Sequence, residues 1–122
     1  MSSVFEKIGG AAAVNAAVDI FYAKILRDPL LEPFFDGIDM DKQRAKQVAF
    51  LTMVFGGPSA YAGKDLRAAH KHMVEQRGLG DAHFNAVAGH LQATLQELNV
   101  PADLVSAIMT TAASTRDDVL NR

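Results

Sequence analysis

An all-α fold in a single domain over residues 1–122 is what this sequence predicts. Three observations predict it. Apolar residues recur at i, i+3, i+4 and i+7 in four longer stretches, which is the period of a helix with one buried face. Glycine and proline cluster at the joints between those stretches. No segment alternates apolar and polar residues convincingly enough to be a strand.

The elements follow in order. "SVFEKIGG" (Ser3 to Gly10) reads as a short helix stopped by Gly9-Gly10. From about Ala11 to Arg27, Val14, Val18, Phe21, Tyr22 and Ile25 fall on one helical face. "DPLLEPFFDGID" (Asp28 to Asp39) has prolines at 29 and 33, so a short tight piece of helix and loop is expected. Asp39 is placed to cap a helix from about Met40 to Phe55, which Gly56-Gly57-Pro58 ends. "GGPSAYAG" (Gly56 to Gly63) lacks the Gly-Lys-Ser/Thr of a phosphate loop and reads as a flexible connector. A helix runs from about Lys64 to Gln76 and is closed by "RGLG". Asp81 is expected to cap the next, with Phe84, Val87, Ala88, Leu91, Leu95 and Leu98 as its apolar stripe. Pro101 suits the first turn of a last helix carrying Leu104, Val105, Ile108, Met109 and Ala112.

Composition narrows the function classes. Hydrophobic residues make up 49% of the chain, enough to build a sizeable core or to wrap an apolar ligand. A net charge of −2 gives no long-range attraction to nucleic acid or anionic lipid. The basic cluster "KQRAK" (Lys42 to Lys46) splits between two sides of a helix. Without cysteine there are no disulfides, thiol nucleophiles or thiolate metal sites. The start reads as no signal peptide, and the apolar run Ala11 to Leu26 is interrupted by Asn15 and Asp19. A cytoplasmic protein that binds neither nucleic acid nor membrane is expected.

Polar residues on faces that should be apolar are the candidate site. The stripe of Phe50, Leu51 and Val54 extends backwards onto Gln47 and Gln43. Either that end of the helix reaches solvent, or the amides belong to an apolar pocket with a few polar groups. Tyr22 lies on an apolar face, as an ordinary core tyrosine or as a pocket residue whose hydroxyl needs a partner. His70 follows Leu66 and precedes Met73 and Val74 in a stripe, as a satisfied core histidine or as a metal ligand. His72 points to the opposite face, and His83 and His90 border their stripe and read as surface residues.

The histidines cannot share one metal ion. On a helix, His70 and His72 lie about 200° apart, and His83 and His90 are separated by roughly 10 Å along the axis. A zinc ligand sits about 2 Å from its metal. A metal held here by one histidine needs most of its coordination from elsewhere. No paired carboxylates, nucleophile elbow or dinucleotide fingerprint competes.

Taken together, "FEKIGG" (Phe5 to Gly10), "FYAKIL" (Phe21 to Leu26), "PFFDGIDMDKQRAKQVAFLTMVFGG" (Pro33 to Gly57) and "AAHKHMVEQRGLGDAHFNAVAGHL" (Ala68 to Leu91) resemble the truncated haemoglobins, most closely group I of cyanobacteria and algae. The resemblance covers nearly the whole chain. It implies a shortened globin, two helix pairs packed over each other around non-covalent haem b. Porphyrin supplies four nitrogens, so one histidine suffices. By position, His70 becomes the proximal ligand, and Tyr22, Gln43 and Gln47 become donors to bound oxygen. Phe35 and Phe50 pack on the haem, with Phe84 and Val87 as further walls, and Lys42, Leu66, Met73 and Leu79 complete its expected surroundings. Some relatives have a histidine, others a lysine, where Lys46 stands, so Lys46 either snorkels at the haem edge or turns inward as a distal ligand. Some relatives link the haem covalently through a histidine near the C-terminus; "AASTRDDVLNR" (Ala112 to Arg122) has none.

Three functions compete on this reading. The first is a monomeric haem protein that binds or transports oxygen and takes nitric oxide and carbon monoxide. The second is a nitric oxide dioxygenase on the same pocket, served by an external reductase. The third is a haem-free all-α interaction module, with Gln43 and Gln47 on its surface.

Overall fold

The computed structural model describes residues 4–35, 39–57 and 63–122. The elements are α1 (Val4–Lys7), α2 (Gly10–Arg27), a 3-10 helix (Glu32–Phe35), α3 (Met40–Val54), α4 (Gly63–Arg77), α5 (Asp81–Glu97), α6 (Ala102–Ala113) and α7 (Arg116–Val119). Among the described residues there is no strand. The expected connector at 58–62, the middle of the loop before Asp39 (36–38) and the first three residues lie outside the described residues.

The expected capping at Asp39 is present: its carboxylate accepts from the N–H groups of Asp41 and Lys42. α3 closes as the glycine pair predicts. Gly57 N–H donates to the Thr52 carbonyl and Gly56 N–H to the Met53 carbonyl, with Gly56 at φ +81°. This is a Schellman turn, whose left-handed residue glycine adopts without penalty. Gly57 has a second reason to be glycine, because an added Cβ would stand 2.5 Å from the Phe5 ring. Two helix starts differ from expectation. Gly80, not Asp81, occupies the N-cap of α5, and Asp81 is its first helical residue. Pro101 likewise caps α6 from outside it. Gly10 already belongs to α2, so Ile8 and Gly9 alone separate it from α1, with Gly9 at φ +116° and Gly10 at φ +65°.

The expected stripes form the core. Val14, Val18, Phe21 and Ile25 of α2 are buried, joined by Ala17, which the spacing did not single out. Leu51, Val54 and Phe55 meet them from α3, Leu91 and Leu95 from α5, and Val105, Ile108 and Ala112 from α6. α2 packs on α3 and α5 packs on α6, and the first pair lies over the second through α2 against α5 and α3 against α6. α4 stands apart from this sandwich and packs against α7. A smaller cluster of Leu66, Phe84, Val119 and Leu120 forms there, with Phe50, Met53 and Leu79 against it. The cleft described next lies between that cluster and the main core. Thr94, fully buried in α5, loses no hydrogen bond because its hydroxyl donates to the His90 carbonyl at 2.8 Å. Among the described residues no helix is long and apolar enough to cross a membrane.

Candidate functional site: an apolar cleft with one presented imidazole

A cleft, partly open to solvent, lies between α2, the 3-10 helix and α3 on one side and α4, α5 and α7 on the other. Gln43, Lys46, Gln47 and Phe50 enter from α3, and Leu66, His70 and Met73 from α4. Phe35, Leu79, Phe84 and Val87 complete the part of the lining that the sequence singled out. The Gln43 and Gln47 side chains are half-buried at the cleft, while Lys46 is exposed at its edge.

His70 is held in one tautomer. Its Nδ1 lies 2.8 Å from the Leu66 carbonyl oxygen, one turn back on α4. A carbonyl only accepts, so Nδ1 carries the proton and donates. Nε2 is left with its lone pair. Burial pushes the His70 pKa below the usual histidine value; the Leu66 carbonyl opposes that shift, and the charge of Lys46 adds to it. The imidazole is thereby kept neutral, the form that ligates a metal. Among the described residues no three His, Asp or Glu side chains converge.

Two expected site residues, Tyr22 at the bound ligand and Lys42 at the haem, lie outside the cleft lining. Tyr22 does not line the cleft: its ring sits edge-on to Phe35, centroids 5.8 Å apart, and its hydroxyl donates to the Met40 sulfur at 3.5 Å. Burial raises the Tyr22 pKa, so the phenol keeps its proton as a donor. Lys42 is exposed in the first turn of α3, outside the lining, where the Asp39 cap fixes its backbone.

Sequence reasoning missed His83. It is half-buried, lines the cleft and meets Phe34 edge-to-face at 5.0 Å. Its Nδ1 accepts the Gly80 N–H at 3.0 Å, so a neutral His83 carries its proton on Nε2. His83 therefore offers the cleft a donor, where His70 offers a lone pair. The spacing from Gly80, three residues before it at a helix start, is the half of a capping box that could have flagged it. His90 is not a free surface residue either, since its Nε2 lies 2.8 Å from an Asp28 carboxylate oxygen. Phe21, Leu31, Phe34, Ala69 and Val119 also line the cleft, and nothing in their local pattern marks them as more than core.

The residues present fit a flat, mostly apolar group bound through one metal. The lining is apolar with a few convergent polar groups, and one imidazole is fixed with Nε2 bare.

The comparisons with known proteins agree with that fit. The model of the bacterial-like globin family matches residues 3–121. The chain is 48% identical to the group 1 truncated hemoglobin GlbN of a Synechocystis species, over the whole of both chains. Among solved structures it resembles the 2/2 hemoglobin of a Synechococcus species in the cyanomet state with covalently attached heme, with a TM-score of 0.92, 48% identity and coverage of 99% of this chain and 100% of that one. It also resembles Chlamydomonas reinhardtii THB1, with a TM-score of 0.86, 50% identity and coverage of 96% and 95%.

Proposed function

Because the chain belongs to the bacterial-like globin family, whose members bind haem and through it diatomic gases such as oxygen, we propose that this cleft holds haem b non-covalently, with His70 as its one protein ligand. The observation that carries the reading is the His70 Nδ1–Leu66 contact, which orients the ring and leaves Nε2 to donate its lone pair. Ferrous haem, when bound, supplies reversible ligation of a diatomic gas. Everything else falls to side chains of this chain. Phe35, Phe50, Leu66, Met73, Leu79, Phe84 and Val87 line the cleft and would shield a bound haem from water. Gln43 and Gln47 place amide donors on the α3 side, opposite the helix that carries His70. Tyr22 reaches a ligand only by turning its hydroxyl from the Met40 sulfur, a weak acceptor that competes poorly with an anionic or strongly polar one. Lys46, exposed at the edge, has a stem long enough either to cover the rim or to bring a neutral amine inward.

An absorption spectrum of the purified protein tests the reading. A strong Soret band that shifts on adding carbon monoxide to the reduced protein is expected. Purified, correctly folded chain that takes up no added haem would overturn it.

A further inference from the structure

The segment from Asp28 to Phe35 forms one wall of the cleft through Leu31, Phe34 and Phe35. It is a short stretch with prolines at 29 and 33, and few of its backbone groups can pair internally. Leu31 and Glu32 N–H donate to the Asp28 carbonyl, and Phe34 N–H to the Leu31 carbonyl. The Pro33 carbonyl of the 3-10 helix accepts a hydrogen bond from outside the segment. Arg77, the last residue of α4, crosses to it: its Nη2 donates to the Pro33 oxygen at 2.6 Å. The same guanidinium sits 5.6 Å from the centroid of the Phe34 ring. Phe34 in turn is only 8% exposed and rests on His83.

We infer that Arg77 is a positioning residue that latches this wall to α4, the helix of His70, and so sets how fast a cofactor leaves the cleft. A flat group lying between the wall and α4–α5 exits when the wall swings away. Arg77 opposes that motion with one directional hydrogen bond and one cation–π contact, both from a single planar group. Lysine reproduces the charge without the geometry. At the other end of the segment the Asp28–His90 pair makes a second tether, to α5.

The inference rests on the haem reading for one of its two tests. In the first, haem transfer from the purified protein to excess apomyoglobin is timed. Arg77→Ala should lose haem about ten-fold faster, which is about 1.4 kcal/mol, with Soret position and carbon monoxide spectrum unchanged. Arg77→Lys should recover part of the difference. Arg44→Ala removes another cross-helix arginine pair, to Asp19 at 2.8 Å, and should change the rate by less than about two-fold. An Arg77→Ala rate like wild type, or an equal acceleration in Arg44→Ala, would overturn the latch. In the second, amide exchange at Leu31 and Phe34 should quicken in Arg77→Ala while Leu95 and Ile108 are unaffected. Unchanged exchange at those two amides overturns the latch. If the chain takes up no haem, the proposed function fails and the exchange experiment still decides the latch.

Discussion

The Nδ1 atom of His70 and the carbonyl oxygen of Leu66 lie 2.8 Å apart, and that contact separates His70 from the other histidine of the cleft. His83 accepts at its Nδ1, so its Nε2 is a donor. Two imidazoles in one apolar space are thus chemically opposite. The first prediction follows from that opposition. His70→Ala should lose haem on desalting, and His83→Ala and His72→Ala should keep it. Pyridine haemochrome assay of the desalted proteins reads the result; full haem in His70→Ala would exclude it as the ligand.

The donors on the α3 side should favour polar ligands. Loss of one hydrogen bond of roughly 0.5–1.5 kcal/mol corresponds to about two- to twelve-fold in rate. Gln47→Leu should raise the oxygen dissociation rate by that factor, with Gln43→Leu at the lower end; Tyr22→Phe, from α2, should do so to the extent that its hydroxyl turns from the Met40 sulfur to the ligand. Carbon monoxide, a poorer acceptor, should change less. Equal effects on the two gases in flash photolysis would point to a steric role instead.

For Lys46, the amine must be neutral to bind iron, so proton and metal compete for one lone pair. Inward ligation should therefore strengthen as pH rises. A low-spin spectrum of the ligand-free protein that grows with pH, and is absent in Lys46→Ala, is the expected outcome. The same growth in the variant would identify hydroxide or another side chain, leaving the lysine as rim cover.

Haem should be extractable from the polypeptide. The segment from Ala112 to Arg122 offers no histidine for a vinyl group, and the buried Thr115 hydroxyl is engaged by the Ala112 carbonyl. Acid–butanone treatment should carry the colour into the organic layer. Colour that stays with the protein would direct attention to His83, the remaining histidine on the cleft wall besides His70.

Acid should weaken the wall before the core. The hydrogen bond from His90 and then the Leu30 N–H hold the Asp28 carboxyl below its ordinary pKa. A carboxylate depressed in the folded state stabilises above its unfolded pKa, about 3.9, and that contribution is lost as pH falls through the lower folded value. Asp28→Asn should cost roughly 0.2–1 kcal/mol near neutral pH, with the gap to wild type closing in strong acid. Urea unfolding at several pH values measures it; a gap that is constant with pH would show that the pair does not titrate with folding.

What the sequence by itself determined is what depends on near neighbours. Helix period, the Asp39 cap, the Gly56-Gly57 stop and the apolar faces of α2, α5 and α6 all arise within a few residues, so they are legible in order along the chain. His70 is legible for the same reason, because its place in the Leu66–Met73–Val74 stripe and its Leu66 partner one turn back are both local. Gln43 and Gln47 were visible as amides out of place, although their pattern could not choose between solvent and a pocket. Tertiary structure decided that, because it is the approach of α4 and α5 to α3 that encloses them. It also decided the direction of the Tyr22 hydroxyl, set by a sulfur 18 residues away, and the latch of Arg77 on Pro33, 44 residues apart. His83 joined the wall through Phe34, and Val119 through the packing of α7 on α4. Contacts between distant segments carry no period in the chain, since each partner is chosen by how the helices cross rather than by its neighbours in sequence.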